Sequence, residues 1–102
     1  MISTMQSREV VDRLKKSRAA LQARGVRSLA IFGSTARNEA RPDSDVDVVV
    51  ELDATRRLSL TELSDIKFYL TDLLGVRVDL ALRNRLRPGY RAAIERDLIS
   101  VF

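Results

Sequence analysis

The chain has 102 residues, of which 45% are hydrophobic and 31% charged, and this length and balance predict a single globular domain over residues 1–102. It contains neither cysteine nor histidine, which excludes disulfides, thiolate and histidine metal sites, and catalysis by a cysteine nucleophile or a histidine base. The net charge of +4 is uneven, because residues 38–82 carry ten acidic and five basic side chains while both flanking segments are basic.

Hydrophobic periodicity divides the first half of the chain into a helix, a strand, a short helical turn and a second strand. Apolar residues at helical spacing predict an amphipathic helix over residues 5–24, which a following glycine ends. β-Favouring residues predict a buried strand at Val26–Phe32, and a helical turn follows at Thr35–Ala40. Arg41–Ser44 has the composition of a turn, and the valine-rich segment Asp45–Leu52 is the second predicted strand.

The second half is predicted to contain two helices and two strands. A serine and a glutamate three residues apart form a capping box, which predicts a helix over residues 59–74. Val76–Leu82 is the third predicted strand, and a proline suited to a first helical turn predicts a last helix over residues 88–98. Residues 99–102 have the composition of a short strand. The predicted fold class is α/β (α+β): a small mixed β-sheet with helices packed on it.

Three aspartates stand on the second and third predicted strands. Because side chains alternate along a strand, Asp45 and Asp47 share one face, and the opposite face, toward the core, carries Val46, Val48, Val50 and Leu52. Asp79 lies on the non-core face of the third strand, where strand preferences disfavour aspartate. If the two strands are neighbours, the three carboxylates converge. Oxygen ligands without histidine or cysteine favour Mg²⁺ or Mn²⁺ over zinc.

Each of these carboxylates also has an ordinary structural interpretation. An Asp-x-Asp sequence after a turn is usually a solvated strand start, and Asp79 has a neighbouring arginine, Arg77, as a possible ion-pair partner. The combination of three aspartates on two strands favours the metal site over these separate interpretations.

A glycine-serine pair lies between the first strand and the short helical turn. Gly33 lets the backbone approach a phosphate closely, the Ser34 hydroxyl can donate to a phosphate oxygen, and Arg37 adds positive charge one turn later. Gly-Ser is by itself a common turn sequence. The chain contains no Gly-x-x-x-x-Gly-Lys-Ser/Thr sequence, which argues against a P-loop ATPase.

The order and spacing of these motifs resemble the signature of the DNA polymerase β-like nucleotidyltransferase superfamily. The matching segments are FGSTAR at residues 32–37 and DSDVDVVV at residues 43–50. Within that superfamily the chain is similar to the minimal nucleotidyltransferase (MNT) family, over nearly its whole length. The resemblance implies the minimal polymerase-β-like nucleotidyltransferase fold, formed by one nucleotidyltransferase domain over residues 1–102.

The resemblance also implies a role for each motif residue. Asp45 and Asp47 match the family's paired metal ligands, and Asp79 matches a third carboxylate that helps to hold a metal and can draw the proton from the attacking hydroxyl. The positions that match the nucleotide-binding loop and its basic residue are Gly33, Ser34 and Arg37. The implied reaction is nucleotidyl transfer from ATP with two Mg²⁺ ions, for which Mn²⁺ is a possible substitute. The family commonly has glycine where Asn38 stands and a basic residue where Thr35 stands, so these two departures bear on nucleotide preference.

The same resemblance implies a protein partner. Members of the MNT family commonly pair with a helical HEPN ribonuclease toxin and act as its antitoxin by adding AMP to a tyrosine of the toxin. Because the chain leaves no room for a separate acceptor domain, we expect the acceptor to be brought by such a partner. Two alternatives remain open: a non-catalytic antitoxin that works by complex formation, and a stand-alone nucleotidyltransferase with another acceptor.

The remaining features give weaker expectations. We expect a cytoplasmic protein without membrane binding, because the apolar runs are short and the N-terminus lacks the apolar region of a secretory signal. Direct nucleic-acid binding is not expected either. Tyr69 and Tyr90 are expected to pack against the rest of the protein rather than to be modified.

Overall fold

The computed structural model describes residues 6–39, 45–55 and 57–102, so the predicted turn at Arg41–Ser44 lies outside the described residues. The elements in chain order are α1 (Ser7–Lys16), α2 (Arg18–Ala23), β1 (Val26–Phe32), α3 (Gly33–Ala36), β2 (Val46–Leu52), α4 (Leu60–Leu74), β3 (Val78–Leu82), a 3₁₀ turn (Arg83–Arg85), α5 (Pro88–Arg96) and β4 (Ile99–Ser100). None of the helices among the described residues is both long enough and apolar enough to cross a membrane.

The four strands form one mixed sheet in the order β3-β2-β1-β4. β1 pairs antiparallel with β2 and with β4, whereas β2 pairs parallel with β3. The parallel pair needs a crossover connection, which α4 provides. The expectation of a small mixed sheet carrying helices is confirmed.

One face of the sheet carries the main hydrophobic core. The buried valines of β2, which alternate along the strand, pack with side chains from α1, α2 and α4. The fully buried side chains of these elements include Val48, Leu14, Leu21, Ile66 and Leu70. The alternation expected for β2 is therefore confirmed, since its even-numbered valines face this core. Burying these apolar side chains is the main stabilising contribution to the fold.

The opposite face of the sheet is covered in part by α5. Ile94 of this helix packs on Ala30, Phe32 and Val49, which form a second, smaller apolar cluster. Val49 and Asp47 lie two residues apart on β2 and therefore share this face. α5 consequently lies on the side of the sheet that carries the aspartate.

The N-terminal helical segment is interrupted, so the expectation of one helix over residues 5–24 is wrong. At Ser17 the backbone leaves the helical region, and the Ser17 N–H donates to the Leu14 carbonyl three residues earlier. The helix resumes at Arg18 and is followed by Gly25, which has the positive φ of +98° that favours glycine. Leu14 and Leu21 remain buried on the two sides of the break.

Other boundaries differ by a few residues. The short helix predicted at Thr35–Ala40 begins earlier, at Gly33, and ends at Ala36. β3 begins at Val78 rather than Val76. The capping box is confirmed, because the Glu62 N–H donates to the Ser59 hydroxyl at 3.2 Å and α4 begins at Leu60.

Candidate active site

Two of the three predicted carboxylates stand side by side. Asp47 of β2 and Asp79 of β3 are register partners on the two parallel strands, as the sequence analysis required. Register partners on neighbouring strands project from the same face of a sheet. Asp47 is half-buried and Asp79 is exposed. Asp79 forms no ion pair with any residue that the structure describes.

The third carboxylate, Asp45, lies immediately before β2 and is exposed. Its Oδ1 atom lies 3.7 Å from Nε of Arg77, whose side chain is 85% exposed. The ordinary interpretation paired Arg77 with Asp79, and the structure gives this arginine to Asp45 instead. A pair this exposed contributes little to stability, so Arg77 leaves Asp45 available to a stronger cationic ligand.

Asp47 is half-buried and lies close to two other carboxylates, and both conditions affect its pKa. Burial raises the pKa of Asp47 above its ordinary value, and the charges of Asp79 and Asp45 raise it further, against a smaller opposing effect of Arg37. Within residues 6–39, 45–55 and 57–102, no three acidic side chains are already arranged around a metal position. The donor set nevertheless fits a hard divalent cation, because all of its ligands are oxygens and a cation would relieve their mutual repulsion.

Gly33 brings the loop after β1 against the Asp47 carboxylate. Its φ of +70° lies in the left-handed region, and a Cβ atom at this position would overlap Oδ2 of Asp47 and stand 3.2 Å from its Cγ. Glycine is therefore required here for both backbone conformation and space. Gly33 begins the single helical turn α3, and Ser34, the next residue in this turn, lines the same cavity as Asp47.

Arg37, which follows α3, is held by two carboxylates. Its Nη1 donates to Asp97 at 3.0 Å and its Nε donates to Glu39 at 3.1 Å. Hydrogen bonds to Glu39 and Asp97 raise the pKa of Arg37 above its ordinary value, so the guanidinium stays charged. Asp97 caps the C-terminus of α5, and the ion pair therefore ties the end of α3 to the end of α5.

These elements line an open surface cavity of about 390 Å³. Its β1–α3 side and β2 edge contribute Phe32, Gly33, Ser34, Arg37 and Asp47, and its α5 side contributes Tyr90, Ala93, Ile94 and Asp97. Asp45 and Asp79 are not among the lining residues. Four of the six residues predicted for the site thus line one cavity, and the other two carboxylates lie beside Asp47.

The contribution of α5 to the site was not predicted from the sequence. Tyr69 is half-buried and lies 4.1 Å from the Arg24 guanidinium, so its expected packing is confirmed. The corresponding expectation for Tyr90 is wrong, since Tyr90 is 54% exposed and lines the cavity. The spacing of Tyr90, Ala93 and Asp97 was the available signal, because residues three, four and seven apart share one helical face. That spacing does not reveal what the face lies against.

The chain is similar to known proteins over most of its length. The model of the nucleotidyltransferase domain family matches residues 11–101. The Methanocaldococcus jannaschii protein MJ0128, described as a candidate protein adenylyltransferase, is 44% identical over 96 residues, which cover 91% of this chain and 95% of that protein. Protein adenylyltransferase MntA of Thermococcus cleftensis is 39% identical over 77 residues, or 76% of each chain.

Solved structures agree at the level of the fold. A structure of a candidate minimal nucleotidyltransferase has a TM-score of 0.79 at 34% identity and covers 95% of this chain and 97% of that one. A chain from a Shewanella oneidensis complex of tri-AMPylated HEPN toxin with MNT antitoxin has a TM-score of 0.66 at 14% identity, covering 95% of this chain and 72% of that one. The present chain therefore belongs to the nucleotidyltransferase domain family and is one of its minimal nucleotidyltransferases.

Proposed function

We propose that this chain transfers AMP from ATP to a hydroxyl group of a partner protein. The observation that carries the proposal is the meeting of the Gly33–Ser34 turn, Arg37 and Asp47 around one cavity, with Asp79 paired to Asp47. The relatives named as protein adenylyltransferases, MntA among them, support the choice of AMP and of a protein acceptor.

The phosphates of ATP would bind at the β1–α3 turn. Gly33, with its left-handed φ of +70°, places this turn against the Asp47 carboxylate, so phosphates held at the turn would lie beside the proposed metal ligands. The Ser34 hydroxyl donates to a phosphate oxygen, and Arg37 supplies a fixed positive charge. Because Arg37 is already held by Asp97, little side-chain freedom is lost when the nucleotide binds.

The carboxylates would hold divalent metal. Asp45, Asp47 and Asp79 are the ligands proposed for Mg²⁺, with two ions as the working number and Mn²⁺ as a substitute. The ions would neutralise charge on the phosphates and on the attacking and leaving oxygens. Burial raises the pKa of Asp47, and repulsion from Asp79 and Asp45 raises it further; a bound cation would offset both effects, which supports this assignment.

The chain's own groups would orient the reaction and move the proton. An acceptor hydroxyl oxygen forms a bond to the α-phosphorus, the bond to the bridging oxygen breaks, and pyrophosphate leaves. Asp79 is exposed beside Asp47 and forms no ion pair with a described residue, so it is suited to take the proton of the hydroxyl. Ser34 and Arg37 keep the phosphates aligned for the in-line attack.

The proposed acceptor is a tyrosine of a HEPN toxin, which this chain would neutralise as an antitoxin. The fold shared with the Shewanella oneidensis complex of a tri-AMPylated HEPN toxin and MNT antitoxin supports this partner. No direct nucleic-acid or membrane binding is proposed, and the reaction would take place in the cytoplasm.

The test compares ATP labelled at the α-phosphate with ATP labelled at the γ-phosphate, in the presence of Mg²⁺ and the HEPN partner. We expect label on the partner from α-labelled ATP alone, and none with an Asp45→Asn/Asp47→Asn variant. The matched control is Asp65→Asn/Asp72→Asn, which removes two exposed carboxylates of α4 and should leave labelling unchanged.

Other outcomes separate the alternatives. Label from γ-labelled ATP would mean phosphoryl transfer and would overturn the proposal. A stable complex with no label in either lane would indicate a non-catalytic antitoxin. Label on a molecule other than the HEPN partner would indicate a nucleotidyltransferase with a different acceptor.

A further inference from the structure

One face of α5 lines the candidate active site, and of its residues only Asp97 has been given a role toward the nucleotide so far. Tyr90, Ala93, Ile94 and Asp97 recur at helical spacing along this face and all border the cavity. Asp97 is engaged by Arg37, and Ile94 anchors the helix on the sheet. Tyr90 is left 54% exposed beside the cavity.

The two sides of the cavity differ in chemistry. The β1–α3 side presents a glycine backbone, a hydroxyl, a guanidinium and the Asp47 carboxylate, which suit phosphates and metal. Toward the start of α5, the lining is an aromatic ring followed by Ala93. A nucleotide has the same division, because its charged phosphates and its flat, weakly polar base lie at opposite ends of the molecule. The volume of about 390 Å³ lies within the range of typical small-molecule sites, roughly 300–1,000 Å³.

We propose that the Tyr90 ring is the platform on which the adenine base of ATP stacks, so that α5 supplies the nucleoside half of the site. The inference rests on the proposed function in taking ATP as the substrate. Stacking uses the ring face and not the phenolic oxygen, and every base offers a π-face to an aromatic side chain. Tyr90 is thereby a binding residue that contacts the part of ATP farthest from the carboxylates.

Base stacking on Tyr90 can be tested by measuring binding of the phosphates with and without the nucleoside. Titration calorimetry with Mg²⁺ measures the affinity for ATP and for inorganic tripolyphosphate, which lacks the nucleoside. The variants are Tyr90→Ala and Tyr90→Phe. The control, Phe68→Ala, removes an exposed aromatic ring of α4, which is 68% exposed and does not line the cavity.

We expect Tyr90→Ala to weaken ATP binding about tenfold and to leave tripolyphosphate binding unchanged. Tyr90→Phe and Phe68→Ala should bind both ligands as the unmodified chain does. Because Tyr90 is exposed, its truncation should not alter folding, which the melting temperature checks.

Four results would overturn the inference. Unchanged ATP affinity in Tyr90→Ala would exclude stacking, and so would an unmodified chain that binds tripolyphosphate as tightly as ATP. Equal weakening of both ligands would indicate a role toward the phosphates. A Tyr90→Phe variant as weak as Tyr90→Ala would assign the effect to the hydroxyl. Failure of AMP transfer to a partner, with the ATP-specific loss intact, would instead count against the proposed acceptor and leave the binding role of Tyr90 standing.

Discussion

Gly33 and Asp47 are in such close contact that no side chain fits between them: a Cβ atom on residue 33 would overlap Oδ2 of the Asp47 carboxylate. Gly33 follows β1 and Asp47 lies at the start of β2. The strands β1 and β2 pair antiparallel, which brings the two residues together. The contact sets the distance between the proposed phosphate-binding turn and the proposed metal ligand.

A Gly33→Ala substitution tests this contact. Because alanine disfavours the left-handed φ of +70°, this conformation alone should lower the unfolding free energy of the variant by about 1–2 kcal/mol. The overlap with Asp47 should add to that cost and displace the carboxylate, so we expect nucleotidyl transfer to be lost. Chemical denaturation and α-labelled ATP measure the two effects.

Gly75→Ala is the matched control for the backbone strain. Gly75 has nearly the same φ, +71°, but a Cβ atom there would have no neighbour within 4 Å. We expect this variant to lose stability through strain alone and to keep its activity. Equal losses of stability in the two variants, with activity retained in both, would contradict the crowding at Asp47.

The ion pair between Asp97 and Arg37 is expected to position the guanidinium for ATP. In an Asp97→Asn variant we expect the KM for ATP to rise roughly threefold to tenfold with kcat unchanged, because a charged hydrogen bond that orients Arg37 is lost. Glu39→Gln is the comparison, since Glu39 also accepts a hydrogen bond from Arg37 but does not line the cavity, and we expect it to raise the KM less. A fall in KM for Asp97→Asn would mean that Asp97 competes with the triphosphate for Arg37.

Removing the charge of Asp47 should stabilise the fold while abolishing activity. Its raised pKa means that ionisation is disfavoured in the folded state, so the charge lowers stability above that pKa and ceases to do so as pH falls below the ordinary value. For Asp47→Asn we expect a gain under about 1 kcal/mol, because solvent screens a half-exposed carboxylate.

Thermal unfolding with and without Mg²⁺ checks this expectation. The melting temperature of Asp47→Asn should rise by roughly 2–4 °C in the absence of metal. Added Mg²⁺ should raise the melting temperature of the unmodified chain and have less effect on the variant. Asp65→Asn, on the exposed face of α4, should match the unmodified chain in both conditions. A destabilised Asp47→Asn protein would contradict the repulsion described here.

The Thr35 hydroxyl is a buried polar group in the proposed nucleotide-binding turn. Thr35 is 1% exposed, and its Oγ1 has no hydrogen-bond partner in the described part of the chain. In a Thr35→Val variant, a side chain of similar shape removes this buried, unsatisfied hydroxyl, so we expect a gain of about 1 kcal/mol in unfolding free energy. Denaturant titration measures it.

Thr71→Val is the corresponding control. The Thr71 hydroxyl donates to the Lys67 carbonyl at 2.9 Å, so its removal should bring no comparable gain. A Thr35→Val variant less stable than the unmodified chain would show that the hydroxyl does have a partner.

Local spacing was sufficient for most of the fold. The alternation of Val46, Val48 and Val50 identified the buried face of β2, and the Ser59 capping box located the start of α4. These signals are readable because strand alternation, helix periodicity and helix caps each depend on residues a few positions apart. The break at Ser17 was not readable, since apolar residues keep helical spacing across it.

The sequence by itself determined that candidate metal ligands are oxygen atoms, since the chain has no cysteine or histidine. It also determined the family signature and the strand face on which each aspartate stands. Tertiary structure alone decided that Asp47 and Asp79 are register partners and that Arg77 forms an ion pair with Asp45. It also decided that Tyr90 and Asp97 border the cavity. The physical reason is that a strand or helix pattern shows which side chains share a face, whereas the partner of that face depends on how elements distant in sequence bury their apolar surfaces together.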